Sequence, residues 1–410
     1  MRIVVQKFGG TSVASEERRR QVAEHIRRAR EEGHAVVAVV SAMGRRGDPY
    51  ATDTLLDLLA QVAAPHAPDP REQDQLLSCG EIVACAVVAQ TLLREGLPAV
   101  SLTGAQAGIV TDGRYGEARI LRVKTDVLRR LLSAGKVPVV AGFQGVSEDG
   151  EVTTLGRGGS DTTAAALGVA LGAELIEIYT DVDGMKAADP KLVPEAPTLS
   201  GVTYREAAEL AHLGARVIHP RAVEIAMEGH VPLRIRRTGS DDPGTLVWDR
   251  PHGGRIEILS DRPVVGVAHV APLTQVVVRG RRDFNEGSLN ARMLEAVARR
   301  GVSIDLILVS PHQLMFTVPE GAAASVQEAL AEFDVEVALT GRLAKVSVVG
   351  AGMHGVPGVM ARIARALTGA GVEILQTSDS HASISCLVDA EQLPQAIRAL
   401  FDEFELGKGR

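Results

Sequence analysis

The sequence predicts an α/β protein: a mostly parallel sheet sandwiched by helices over residues 1–240, then a smaller α+β part over 263–410 made of two βαββαβ-type units. Three observations carry this. From Arg2 to Ile235, short apolar runs alternate with helical ones, the pattern of strands joined by helical crossovers. The chain is 45% hydrophobic but only 3% aromatic, a mix that suits strands buried on both faces. Past residue 262 the order strand, helix, strand, strand, helix, strand occurs and then largely recurs, which is an internal repeat.

In order, Arg2 to Lys7 is an apolar strand ending in Lys7-Phe8-Gly9-Gly10-Thr11-Ser12. A helix capped by Ser15 runs to Glu32 and stops at Gly33. Ala35–Val40 is a strand, and Arg45–Thr54 reads as a polar loop. Helices follow at Leu55–Ala63 and Glu72–Glu95, a strand at Leu97–Leu102, a short one at Ala107–Thr111, a helix at Val123–Ala134 and a strand at Val137–Phe143. Asp149-Gly150 marks a hairpin before Glu151–Leu155. A helix over 161–171 and a strand at Leu175–Thr180 close the alternation. Helices at Tyr204–Leu213 and Pro220–Glu228 and a strand at Val231–Ile235 come next. The Gly-, Pro- and charge-rich stretch 241–262 reads as a linker. The first small unit (263–340) has strands Val264–Val270, Gln275–Arg279, Val302–Val309, Gln313–Val318 and Val335–Leu339, with helices Leu289–Arg300 and Ala322–Phe333. The second (341–410) has strands Ala344–Val349, Val372–Ser378 and Ser383–Val388, with helices Pro357–Ala370 and Gln392–Glu403.

The formal net charge of -7 gives no general attraction to nucleic acid or to an anionic membrane. No apolar run reads as long enough to cross a bilayer, and no signal peptide precedes the first strand. Cys79, Cys85 and Cys386 form no CxxC pattern and read as reduced residues of a cytoplasmic protein.

The sharpest chemistry lies in Leu155-Gly156-Arg157-Gly158-Gly159-Ser160-Asp161-Thr162-Thr163. A glycine-rich loop feeding a helix is a setting for an anion, and Arg157 adds a planar fork for carboxylate or phosphate. The plain alternative is a tight turn capped by Ser160 or Asp161. Lys7-Phe8-Gly9-Gly10 repeats the theme after the first strand, without the order of a Walker loop or of GxGxxG. Its plain alternative is a solvated lysine at a strand end. Lys7, Ser41, Phe143 and Asp181 all sit near predicted strand ends, where such sheets bind ligands.

Taken together the motifs resemble the aspartokinases of the amino-acid kinase superfamily. The resemblance rests on Val5 to Val13, Ser41-Ala42-Met43-Gly44, Leu76 to Glu81, Ala141 to Gly145, Thr154 to Thr163 and Tyr179-Thr180-Asp181-Val182-Asp183-Gly184, in that order. It covers essentially the whole chain, because that family ends in paired ACT-type units. Arg45 to Asp53 and Ile374 to His381 look most like its diaminopimelate-sensitive class.

The resemblance implies ATP-dependent phosphorylation of the β-carboxylate of L-aspartate. That nucleophile is ionised at neutral pH, with a pKa of about 4, so positioning and positive charge replace a general base. Lys7, Arg157 and Asp161 are the implied catalytic residues. Lys7 neutralises the transferring group and Asp161 orients Lys7 or a water on Mg²⁺, with a helix cap as Asp161's plainer role. Ser41, Thr52, Glu81, Phe143, Arg157, Gly158, Gly159 and Ser160 are implied at aspartate: Glu81 on the α-ammonium, Arg157 on a carboxylate. Thr54 competes for the Thr52 role, and Phe143 is equally readable as core. Lys7, Phe8, Gly9, Gly10, Thr180, Asp181, Lys186, Asp189, Lys191 and Arg216 are implied on the nucleotide side, with Mg²⁺ held by ATP rather than by a dedicated protein site. Lys186-Ala187-Ala188-Asp189-Pro190-Lys191 stands where the family often has Tyr-Thr-Thr-Asp-Pro-Arg, and Arg216 where it often has Lys. His219 reads as structural.

For the paired units the resemblance implies an amino-acid sensor. Met353-His354-Gly355-Val356-Pro357-Gly358 is the expected effector turn, with diaminopimelate favoured over lysine or threonine, and a homodimer or larger homo-oligomer forming through these units. Two other functions compete: a kinase for glutamate or acetylglutamate, and a catalytically silent amino-acid-binding regulator.

Overall fold

A computed structural model describes residues 1–215, 217–249, 263–280, 287–310, 312–353 and 355–408. The chain divides into two compact units. One comprises Met1–Met185, Thr198–His212 and 217–249; the other Lys186–Pro197, Leu213–Ala215 and 263–408.

The first unit carries, in chain order, β1 (Arg2–Phe8), α1 (Gly10–Val13), α2 (Glu16–Glu31), β2 (His34–Val40), α3 (Thr52–Ala63), α4 (Pro70–Arg94), β3 (Ala99–Leu102), β4 (Ile109–Thr111), β5 (Ile120–Val123), α5 (Asp126–Ser133), β6 (Val137–Ala141), β7 (Gln144–Ser147), β8 (Val152–Thr154), α6 (Gly159–Leu171), β9 (Leu175–Thr180), β10 (Gly201–Val202), α7 (Tyr204–His212), α8 (Pro220–Glu228), β11 (Leu233–Arg237) and β12 (Thr245–Val247). Eight strands form one sheet in the order β10-β12-β11-β9-β1-β2-β6-β3. All its neighbours are parallel except β11 and β12. A smaller sheet, β5-β4-β7-β8, stands beside it.

Strand alternation decides which helix each strand residue meets. Val4 and Phe8 of β1 join Val22, Ile26 and Ala29 of α2 and Ala84, Val88 and Leu92 of α4 in one core. Lys7, between them in register, therefore points to the opposite face, where α6 packs on β1. The helix signals act as expected. Ser15 accepts the Arg18 N–H and caps α2, a contact worth about 1 kcal/mol. Asp69 accepts from Arg71 and Glu72 at the start of α4, with Pro70 at the first helical position.

Two expectations change here. The linker does not begin at 241: Thr245–Val247 is a strand of the large sheet, antiparallel to β11. Ser240 to Gly244 is the turn between them, so its Gly, Pro and Asp content served a hairpin rather than a boundary. The other change is α4, which is long and apolar enough to cross a membrane by length and composition. It instead packs into the core, with Asp74 and Glu81 buried along it at 0% and 2% exposure.

The second unit contains β13 (Gly266–Gly280), α9 (Gly287–Arg299), β14 (Asp305–Val309), β15 (Gln313–Pro319), α10 (Ala323–Leu330), β16 (Val335–Val349), α11 (Val359–Gly369), β17 (Gln376–Asp379), β18 (Ser383–Asp389) and α12 (Leu393–Glu403). They form one six-stranded sheet, β14-β15-β13-β16-β18-β17. Two pairs of predicted strands are fused: β13 and β16 are each 15 residues long and pair along most of their length. The 340/341 division thus falls inside β16. The second repeat ends at α12 without its sixth strand, and residues 266–270 supply it by pairing with 345–349.

Candidate active site

β9, β1, β2 and β6 are consecutive parallel neighbours, so their carboxyl ends, with Thr180–Asp181, Lys7, Ser41 and Phe143, line one edge. At its centre Lys7 Nζ lies 2.7 Å from Asp161 Oδ1, with both side chains about nine-tenths buried. Asp161 is in the first turn of α6, and its Oδ2 accepts the His219 N–H at 3.3 Å. Gly9 bonds back to Tyr179 O. A Cβ on Gly10 would stand 2.4 Å from Ala42 O and 3.0 Å from Gly44 O. Only bare backbone fits at Gly10, and with the Gly9 N–H taken by Tyr179 O it is the Gly10 end of the turn that can offer N–H to a phosphate.

The second turn is just as tight. Gly158 has φ 69°, and a Cβ there would stand 2.3 Å from His219 Cβ; glycine alone takes this conformation without strain. Gly159, first in α6, is closed in by Phe143 and Leu155. Phe143 itself has φ 68°, and its N–H donates to Thr163 Oγ1 at 3.1 Å. Ser160 is buried beside Gly142. Arg157, at the tip, is exposed and has no ion pair among the described residues.

Glu81 faces this edge from α4. Its Oε1 accepts the Ala42 N–H at 3.1 Å, and its buried Oε2 has no partner among the described residues. Burial pushes the carboxyl up to about 8. Thr52 opens α3 and its hydroxyl makes no hydrogen bond among the described residues, whereas Thr54 Oγ1 accepts the Gly47 N–H at 2.9 Å. That contrast favours Thr52 over Thr54 for a ligand. Ser41 is set by its N–H on Phe8 O.

Lys7, Gly9, Gly10, Ser41, Glu81, Phe143, Gly158, Gly159, Ser160, Asp161 and Thr180 lie in one unit along this edge, with Arg157 at its rim; Phe8 turns its ring into the core with α2 and α4, and Thr52 opens α3 in the same unit. Asp181 is engaged by Arg45 at 2.8 Å. Lys186, Asp189 and Lys191 belong to the second unit. There Asp189 Oδ1 accepts the Lys191 N–H and its Oδ2 lies 3.9 Å from His269 Nε2. Ala187 and Ala188 are buried, so the small residues in this stretch serve packing. Arg216 and His354 lie outside the described residues. In the expected effector turn, Met353 is buried, Val356 exposed, and Gly355 and Gly358 have positive φ. The helix starts at Val359 rather than Pro357 because Gly358 caps it in a left-handed conformation. No group of three or more His, Cys, Asp or Glu among the described residues could hold a metal ion.

Comparison with known proteins agrees with this geometry. Residues 2–237 match the amino acid kinase family and residues 339–402 the ACT domain. Aspartokinase 1 of Bacillus subtilis is 46% identical over 409 residues, covering 100% of both chains. The chain belongs to the aspartokinase family. An aspartokinase of Thermus thermophilus is 42% identical over 421 residues, again covering 100% of each. The structure of E. coli aspartokinase III in complex with aspartate and ADP superposes with a TM-score of 0.79 at 25% identity, covering 98% of this chain and 99% of that one.

One residue that holds the loops beside this edge carries no motif of its own. Asp74, two turns before Glu81 on the same face of α4, accepts at Oδ1 from Gly116 N (3.0 Å) and Thr154 Oγ1 (2.7 Å). Its Oδ2 accepts from Gly116 N (2.9 Å) and Thr154 N (2.7 Å). Sequence offers only its spacing of seven from Glu81 as a signal. His219 is the other: besides holding Asp161, its ring wedges against Gly158, and burial lowers its imidazole pKa.

Proposed function

We propose that this edge carries the aspartate kinase reaction, phosphoryl transfer from ATP to the β-carboxylate of L-aspartate, with the charges divided as follows. As an aspartokinase the chain is a phosphotransferase with a carboxyl group as acceptor. Lys7, aimed by Asp161, meets the negative charge of the transferring group. The Gly9-Gly10 turn cradles phosphates with backbone N–H, a role the crowded Cβ position of Gly10 fits, while the Gly9 N–H stays on Tyr179 O and holds the turn. ATP supplies the phosphoryl group, and Mg²⁺ on its phosphates supplies charge neutralisation. Glu81 takes the aspartate α-ammonium, Arg157 a carboxylate, and Ser160, Ser41 and Thr52 hydrogen-bond the substrate. Thr180 and Asp181 lie on the nucleotide side, where Asp181 must share itself with Arg45.

The observation that carries this reading is Glu81: a buried carboxyl with one oxygen unpartnered, beside a lysine–aspartate pair and two backbone-only turns. A cation completes it, and the substrate brings one. A hydroxamate-trapping assay with ATP tests the reading. Aspartate should give product and glutamate little; no product with aspartate would overturn it.

The second unit is read as the amino-acid sensor, with an effector at 353–358 and diaminopimelate favoured. E. coli aspartokinase III solved with lysine and aspartate supports an amino-acid effector in general. Titrating activity with diaminopimelate, lysine and threonine should show inhibition by the first; inhibition by none would overturn the sensor. Ile307, Leu308 and Val309 are exposed at 52%, 44% and 55% on the edge strand β14, which supports a homo-oligomer formed through this unit. Light scattering showing only monomer would refute that. The proposed compartment is the cytoplasm.

A further inference from the structure

We infer that Asp74 is a positioning residue for aspartate binding: by pinning Thr154 and Gly116 it fixes the glycine loop that presents Arg157 and Ser160, at a set distance from Glu81. This rests on the assignment of Arg157 to the substrate.

Asp74 is fully buried and its carboxylate is saturated. It accepts the Thr154 N–H, the Thr154 O–H and the Gly116 N–H, the last shared between both oxygens. Charge-assisted bonds of this kind are the strong ones. The two residues it holds flank the loop directly. Thr154 ends β8, and Leu155 then bonds to Phe143 O before the chain turns through Gly156, Arg157 and Gly158 into α6. Gly116 O lies 3.0 Å from where a Gly156 Cβ would be, so the 116 turn is a wall of the same loop. Gln144 Nε2 makes a second pin, donating to Ser78 O of α4 at 2.9 Å. Further along the same helix face, seven residues on, Glu81 waits for the ammonium. Seven helical residues span about 10 Å. The helix thus acts as a ruler between the two ends of the amino-acid substrate.

An asparagine at 74 imitates this only in part. With its amide oxygen in the Oδ2 place it still accepts from Gly116 and Thr154 N–H, but the charge is gone, the Thr154 hydroxyl bond must turn round to accept from the NH₂, and that NH₂ crowds the Gly116 N–H. Asp74→Asn should therefore raise the KM for aspartate several-fold while the KM for ATP stays within twofold. Thr154→Val, which removes only the hydroxyl, should raise it a few-fold, and Thr154→Ser, which keeps the hydroxyl, should restore it. Melting curves recorded in parallel place every assay well below the Tm. If Asp74→Asn does not fold, the Thr154→Val and Thr154→Ser pair decides.

A lowered Tm with the aspartate KM within twofold of wild type would overturn the inference. So would a rise in both KM values together, which is what a merely structural role produces. Arg157→Ala separates the two layers. If it raises the aspartate KM but the position 74 and 154 variants do not, the inference fails and the site assignment stands. If Arg157→Ala leaves that KM unchanged, both fail.

Discussion

Asp74 and Glu81 lie on the same face of one helix, both buried, and they differ in a single respect. Asp74 has both oxygens occupied by donors from the chain, whereas Glu81 has one N–H on Oε1 and, among the described residues, nothing on Oε2. A buried polar group left unmade costs about 1–3 kcal/mol, more when charged. At Glu81 the open oxygen lies at the edge that also carries the Lys7–Asp161 pair, where a cationic substrate group can take it up. The saturated acid builds the frame and the unsaturated one waits for the substrate.

The largest expected effect sets the scale for this contrast. Lys7→Ala removes the positive charge at the phosphoryl position and leaves Asp161 without its ion pair. It should lower kcat about 10³-fold, with the aspartate KM changed far less; a drop below tenfold would remove Lys7 from the chemistry. Glu81→Gln comes next. Losing a charged partner for the α-ammonium should raise the aspartate KM roughly 30- to 100-fold, worth about 2–3 kcal/mol, with the ATP KM unchanged. Equal loss for both substrates would erase the difference between the two acids.

The same variant carries a stability signature. Below about pH 4.5 Glu81 is protonated in both folded and unfolded chains, so its burial carries no ionisation penalty. Between there and about pH 8 the unfolded chain ionises and the folded one does not, so stability falls as pH rises through that window. Glu81→Gln escapes this. Its Tm relative to wild type should climb from pH 5 to pH 8, and a flat difference would place Glu81 in a solvated site. The smallest effect repeats the contrast in hydroxyls. Thr54 is committed to the Gly47 N–H, and the Thr52 hydroxyl to nothing among the described residues. Thr52→Val should raise the aspartate KM a few-fold, about 1 kcal/mol, and more than Thr54→Val does; the reverse order would exchange their roles.

How much of this was legible in the sequence depended on whether a feature is local. Lys7-Phe8-Gly9-Gly10 and Gly156 to Asp161 announce themselves, because turns that admit only backbone must be spelled with glycine. The alternation of strands and helices gave the parallel sheet for the same reason. What stayed hidden depends on who meets whom across the chain. Asp74 is one acid among many until Thr154 and Gly116 are seen on it. The sixth strand of the second repeat is residues 266–270, at the start of the first small unit; that run reads as a strand, but nothing local signals its partner. Thr245–Val247 looked like linker because its flanking turn residues outweighed three strand residues. The seams at 270–275 and 340–344 read as strand ends because Pro272, Gly341 and Arg342 interrupt the apolar runs, although pairing carries β13 and β16 across them.

The most direct test of the central claim counts protons. Glu81 is largely protonated at pH 7 in the free enzyme if its pKa stands near 8, and an ammonium seated on it must ionise it. Calorimetric titration of the enzyme with aspartate at pH 7, in buffers of different ionisation enthalpy, should show roughly one proton released per aspartate bound, and none with Glu81→Gln. Wild-type binding with no proton release would mean that the substrate ammonium does not sit on Glu81.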